Sequence, residues 1–183
     1  MIKSYISLGS QPIISTVLKD CGLQKNNMLL DYVGDFRFDS LLDNLNNQFK
    51  NFFPNYTEIK IHKDSVNLID TRSYYVIEDA RNAILFYDIL PIDRKLIDVY
   101  DGAKKRYKNY ITNFCNLLSQ RSPIIFIRQM LDDTDDETMQ LYDTIKYVYP
   151  SCKFYIKHKY AGNSESNCYT YWKKNLCDIK RHK

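Results

Sequence analysis

A tight turn between a strand and a helix exposes a side chain at the mouth of the helix, where the helix N-terminus stabilises an anion. Residues 3–22 have that pattern. Lys3-Ser4-Tyr5-Ile6-Ser7-Leu8 alternates like a strand, and Gly9-Ser10-Gln11-Pro12 turns the chain. Ile13, Ile14, Val17, Leu18 and Cys21 then recur at helical spacing and Gly22 closes the segment. In many α/β hydrolytic proteins such a turn holds the nucleophile. Ser10 has a hydroxyl there, but a hydroxyl or thiol attacks a carbonyl only when a neighbouring base takes its proton. No histidine stands at a matching position. The turn has the place for a nucleophile without the machinery.

Two further stretches belong with this turn. The connection at 26–36 carries Leu29-Leu30-Asp31-Tyr32, and Asn82 precedes the apolar run Ala83-Ile84-Leu85-Phe86, which continues into Tyr87-Asp88-Ile89. Together these letters resemble the signature of the family of putative papain-like cysteine peptidases. Its pattern reads Ser-Leu-Gly-Ser, one variable residue, Cys, a helix ending in Gly-Leu, then Pro-Phe-Asp-Trp. Ser7-Leu8-Gly9-Ser10 and Gly22-Leu23 match, whereas Pro12 stands at the Cys position and only Asp31 of the last block is kept. The family's later Asn and His-Asp-Phe correspond to Asn82 and Tyr87-Asp88-Ile89, with Tyr87 at the His position. Ile124-Ile125-Phe126-Ile127-Arg128 is similar to the family's apolar strand ending in Phe-Ile-Arg. The resemblance spans roughly residues 3–130.

The resemblance implies a peptidase-like site whose catalytic positions, Pro12 and Tyr87, are degenerate. A cysteine protease needs a thiolate and an adjacent imidazole that generates it and protonates the leaving group. Proline has no nucleophile, although its ring suits a first helical turn. Tyrosine, with an ordinary pKa near ~10, is a poor base at neutral pH. Loss of both partners is the pattern of a fold kept for binding. No catalytic residue is expected, and Ser10, Gln11, Asp31, Tyr32, Asn82 and Asp88 are the binding candidates, with a protein or peptide as the partner. A hydrolase with a rearranged Ser or Cys site is the alternative. Nucleic-acid binding is the third class, since Tyr169, Tyr171 and Trp172 are interleaved with Lys173, Lys174, Lys180, Arg181 and Lys183.

Other clusters read as ordinary structure. Cys152, His158, Cys168, Cys177 and His182 lack the paired short spacing of a zinc site. Asp132, Asp133, Asp135, Asp136 and Glu137 suit the first turn of a helix and its dipole. No Gly-rich phosphate loop is present, so neither a metal nor a cofactor is expected.

The elements that must position the turn follow from periodicity. Asp39 or Ser40 caps a second helix with Leu41, Leu42, Leu45, Phe49, Phe52 and Phe53 on one face, ended by Pro54. Short β-rich runs at 58–62, 66–69, 73–77 and 83–90 are too close for crossover helices and predict an antiparallel meander. A long helix is expected over 93–121, with a break at Gly102 and a basic stretch at Lys104, Lys105, Arg106 and Lys108. The run at 124–128 is apolar at consecutive positions, as in a strand covered on both faces. A helix bearing Met139, Tyr142, Ile145 and Val148 and a strand at 153–157 complete a strand–helix–strand unit with a parallel pair.

The expected fold is α/β, a mixed central sheet flanked by helices with an antiparallel insertion. It forms one domain over 1–183 with a basic C-terminal segment at 165–183. The 183 residues, 44% hydrophobic, suffice for one sizeable core. A net charge of +4 does not by itself imply nucleic acid. Five cysteines without a CxxC pair predict reduced core thiols. With no membrane span or signal segment in view, the expected location is cytoplasmic. Sixteen tyrosines with abundant Asn, Ile and Lys fit an AT-rich genome such as that of a large DNA virus, which would make it the host cytoplasm.

Overall fold

The computed structural model describes residues 4–9, 12–34, 37–67, 73–120, 122–129, 135–159 and 165–181. In chain order the elements are β1 (Ser4–Ser7), α1 (Ile13–Asp20), β2 (Val33–Gly34), α2 (Phe38–Asn46), a 3-10 turn (Tyr56–Glu58), β3 (Ile59–Asn67), β4 (Ser73–Asp79) and β5 (Ile84–Pro91). They continue with α3 (Leu96–Leu118), β6 (Ile124–Gln129), α4 (Asp135–Val148), β7 (Phe154–Lys159) and α5 (Glu165–Arg181). The fold is mixed α/β. Its strands divide into a parallel sheet of order β1-β6-β7 and an antiparallel sheet of order β2-β5-β4-β3. The expected mixed α/β architecture is present, with the antiparallel strands forming a sheet of their own beside the parallel one.

β6 is the middle strand of the parallel sheet, and all six of its residues are buried. Its side chains alternate between two cores, the reason it is apolar at consecutive positions. Ile124 and Phe126 join Ile6, Leu8 and Phe154 in the larger core, shared with α2, α3, α4 and the antiparallel sheet. Ile125 and Ile127 join Tyr5 on the other face, under α1 and α5. β1 pairs with β6 in parallel, Tyr5 opposite Ile125 and Ser7 opposite Ile127.

α1 ends where Gly22 takes a left-handed φ of 63°. Its N–H bonds the Lys19 carbonyl and the next N–H, from Leu23, bonds Leu18, so two terminal carbonyls are satisfied. Gly22-Leu23 thus acts through backbone geometry. Arg128 is buried at the end of β6, and its Nη1 donates to the Leu8 carbonyl at 3.3 Å, anchoring the chain just after β1.

Several sequence expectations need correction. α2 stops at Asn46 because Gln48 and Phe49 adopt left-handed backbone, which turns Phe49 and Phe52 into the core instead of extending the helix to Pro54. Its N-cap residue is Arg37, not Asp39 or Ser40. The first two predicted β runs fuse into β3, which absorbs an irregularity between His62 and Ser65 in its pairing with β4. α3 runs through Gly102 without a break, since that position is exposed and no packing demands a side chain. α4 buries Leu141 and Ile145 while Met139 is 60% exposed, so its inward stripe is rotated from the predicted face.

The cysteine expectation is overturned in part. Cys21 and Cys177 form a disulfide, while Cys115, Cys152 and Cys168 do not. α1 and α5 lie side by side and bring the two Cα atoms within 5.1 Å, inside the bridging range. Their separation of 156 residues leaves no trace of this in spacing. Among the described residues, no helix is long and apolar enough to cross a membrane.

Candidate functional site

Pro12 has helical backbone, with φ −61° and ψ −21°, and its carbonyl accepts the Ser15 N–H at 3.1 Å. The buried Ser15 Oγ lies 2.9 Å from that carbonyl and 3.0 Å from the carbonyl of Asp31. One hydroxyl proton is therefore shared between the start of α1 and the connection that follows it. The next carbonyl, of Tyr32, accepts the Tyr87 N–H at 3.0 Å. β2 continues the pairing, Val33 opposite Phe86 and Gly34 opposite Leu85. Pro12 and Tyr87 are thus linked through Ser15 and the Asp31-Tyr32 peptide.

The Tyr87 ring lies against Gly34. A Cβ on Gly34 would stand 2.5 Å from Tyr87 Cε2 and 2.6 Å from its hydroxyl oxygen, well inside contact distance. Only a residue without a side chain lets this ring occupy the position.

Asp31 is fully buried and accepts from Gln24 Nε2 at 2.5 Å and the Met28 N–H at 2.9 Å, with Lys19 Nζ 3.4 Å away. Burial pushes its carboxyl above the ordinary value, while the Lys19 charge and these hydrogen bonds pull it back. Lys19 Nζ also donates to Asn27 Oδ1 at 2.8 Å and the Tyr32 hydroxyl at 3.0 Å, and it sits 4.7 Å from the Tyr32 ring centroid. Sequence reasoning missed Lys19 and Asn27. The available signal was the four-residue step from Ser15 to Lys19, which puts both on one face of α1.

Asp88 is engaged by α3. Tyr107 donates its hydroxyl to the carboxylate at 2.7 Å, and Arg106 Nη2 donates to the Asp88 carbonyl at 2.9 Å and to its carboxylate at 3.3 Å. Burial raises the Asp88 carboxyl, opposed by the Arg106 charge and the Tyr107 hydroxyl. The buried Tyr107 hydroxyl is held well above its ordinary value by desolvation and by the Asp88 charge.

Asn82 is not brought to this place. It sits in the turn between β4 and β5, where its Nδ2 donates to Asp79 Oδ2 at 3.1 Å beside the Arg81–Asp79 pair. At about 3.3 Å per residue it is on the order of 15 Å along the chain from Tyr87. Ser10 and Gln11 lie outside the described residues.

Cysteine and histidine side chains are engaged elsewhere. Cys21 is bridged to Cys177, the Cys115 sulfur accepts from the Tyr149 hydroxyl, Cys168 donates to Gln129 Oε1, and His62 pairs with Glu78. Cys152 is buried at the end of α4, its thiol pushed up by desolvation. The His158 and His182 side chains are outside the described set. The described surroundings of Pro12 and Tyr87 hold a serine hydroxyl, an ammonium and tyrosine hydroxyls. Next to the network a cleft of about 580 Å³ opens between the 22–28 connection and α3, lined in part by Gln24, Asn27, Met28, Tyr110, Asn113 and Leu117.

A family model described as putative papain-like cysteine peptidase matches residues 3–155 of the chain. No curated protein and no solved structure matches it.

Proposed function

We propose a function from one premise, that the chain belongs to the family described as putative papain-like cysteine peptidases, and read it as a member that binds without catalysing. The observation that carries this reading is the pair of residues at the two catalytic positions, Pro12 and Tyr87. Neither supplies a thiolate or an imidazole. The carboxylates nearest them are held in structural roles, Asp31 by Gln24, Met28 and Lys19, and Asp88 by Arg106 and Tyr107.

The partner is a protein or peptide that meets the surface around Pro12, Tyr32 and Tyr87, all partly exposed. Asp31 shapes that surface from beneath, and the amide-rich cleft beside Asn27 offers donors and acceptors to a polypeptide main chain. Ser10 and Gln11 are proposed as further contacts from the sequence alone, whereas Asn82 acts at a distance by fixing its turn. The AT-rich composition supports a viral source and a role toward host proteins.

Thiol-directed activity probes and panels of peptide and ester substrates test the loss of catalysis. The expected outcome is no adduct at the turn and no turnover, in the presence or absence of reductant. A stoichiometric adduct at Ser10 or Cys21, with turnover abolished by its replacement with Ala, would instead establish the rearranged hydrolase.

A further inference from the structure

The helix α5 begins beyond the residues the family model matches, 3–155, yet it covers a face those residues build. That face is apolar: Tyr5 of β1, Ile14, Val17 and Leu18 of α1, and Ile125 and Ile127 of β6. α5 sets Cys168, Trp172 and Leu176 on it, a four-residue repeat that makes one stripe of the helix. Two polar contacts assist. Trp172 Nε1 donates to Gln129 Oε1 at 2.8 Å, and the Tyr169 hydroxyl bonds the Asp20 carboxylate at 2.5 Å. The covalent attachment between cover and face is the Cys21–Cys177 bond.

We propose that Cys21–Cys177 is a reversible thiol–disulfide site that latches α5 over the α1/β6 face and releases it on reduction. Its position favours exchange. Cys177 is partly exposed, whereas Cys21 is only 4% exposed, so an external thiolate reaches the Cys177 sulfur. A small dithiol supplies the electrons. Its first thiolate attacks Cys177 Sγ, the S–S bond breaks, and Cys21 leaves as a thiolate that takes up a proton. The second thiolate attacks the mixed disulfide and expels Cys177, which is protonated in turn, and the reductant departs as a cyclic disulfide. Two electrons and two protons pass to the protein, and no atom is lost.

Reduction breaks no bond within the larger core, since the disulfide among the described residues joins the end of α1 to α5. The released parts are the α5 stripe and the face beneath it. α1 starts at Pro12, so the helix that anchors the latch also borders the candidate surface. The latch stands independently of what that surface binds.

Trp172 is the single tryptophan of the chain and is buried under α5, so its fluorescence reports the latch directly. The experiment uses the full chain, purified without reductant and then treated with dithiothreitol. Thiols are counted under denaturing conditions, and emission, acrylamide quenching and far-ultraviolet circular dichroism are recorded natively. The expected count is three thiols before treatment and five after it. Emission should shift to longer wavelength, and the quenching constant should rise about twofold or more as the helix opens locally. Far-ultraviolet dichroism should stay near that of the oxidised chain, and oxidised dithiothreitol should restore the first state. A Cys21→Ser/Cys177→Ser double variant should match the reduced chain with or without reductant. Five thiols with unchanged emission and quenching would show that the bond holds nothing that its loss releases, overturning the latch. General unfolding on reduction would make the bond a structural staple and overturn it equally. Five thiols in the untreated protein would remove the bridge itself.

Discussion

Tyr87 and Gly34 illustrate how a single missing side chain sets a site. The ring occupies the volume a Cβ on Gly34 would fill, so Gly34→Ala must push Tyr87 aside or move β2 from β5. Crowding of this kind costs about 1–3 kcal/mol. In a Tyr87→Ala background the same change should cost less, with a coupling of at least about 0.5 kcal/mol in urea denaturation. Equal costs in both backgrounds would mean that the ring is not held there. Asp88 offers a second test. Burial lifts its carboxyl above the ordinary 3.8, so the native state keeps this proton to higher pH than the unfolded chain does. Stability then falls as pH rises from that ordinary value through the raised native one. Asp88→Asn abolishes the titration, so wild type should lose stability relative to the variant between acid and neutral pH. A gain with rising pH would mean that Arg106 outweighs burial. The letters around Asp31 and Asp88 were legible in the sequence, but their partners Lys19, Arg106 and Tyr107 lie on helices whose approach depends on packing, not spacing.

Elements were most legible where burial dictates the pattern without ambiguity. The run at 124–127 could only be a strand covered on both faces, and β6 is the middle strand of its sheet. Its neighbours β1 and β7 were equally readable, one from the turn that must open onto a helix and the other from a strand–helix–strand unit. Elements ended by backbone conformation rather than by a breaker were not. Nothing in Asn47-Gln48-Phe49 announces left-handed residues, so α2 was read too long. The fusion of two runs into β3 likewise depends on an irregularity that alternation does not encode. The central place of β6 predicts severe sensitivity. Ile125→Asp would put an unpaired carboxylate in the face under α1 and α5, and Phe126→Asp would put one in the larger core. Each should cost several kcal/mol, enough to unfold a domain of ordinary stability. Soluble variants with nearly unchanged thermal melting would contradict the two-sided burial.

On the scale of the whole molecule, β6 is shared property. Among the described residues the larger core and the α1/α5 core have no side chain in common, yet adjacent residues of one strand feed both. Neither face can lose its cover without exposing the strand that organises the other. The same arrangement places one aromatic of the basic C-terminal segment in the core. Trp172 is buried and bonded to Gln129, so it is no platform for stacking bases, and Lys173 turns outward to the Tyr169 hydroxyl. The aromatics that suggested nucleic acid in the sequence include a core anchor. With the disulfide closed, the shared strand predicts that the two cores unfold together. Trp172 emission reports the α1/α5 side, and a Phe114→Trp chain that also carries Trp172→Phe reports the other. Under non-reducing conditions the two probes should give coincident denaturation midpoints, as two-state unfolding requires. After reduction Trp172 should report the open state before denaturant is added, while the second probe keeps its own later transition, because α5 then opens without the sheets. Separate midpoints in the oxidised chain would divide it into two folding units, and β6 could not then be the strand on which both cores depend.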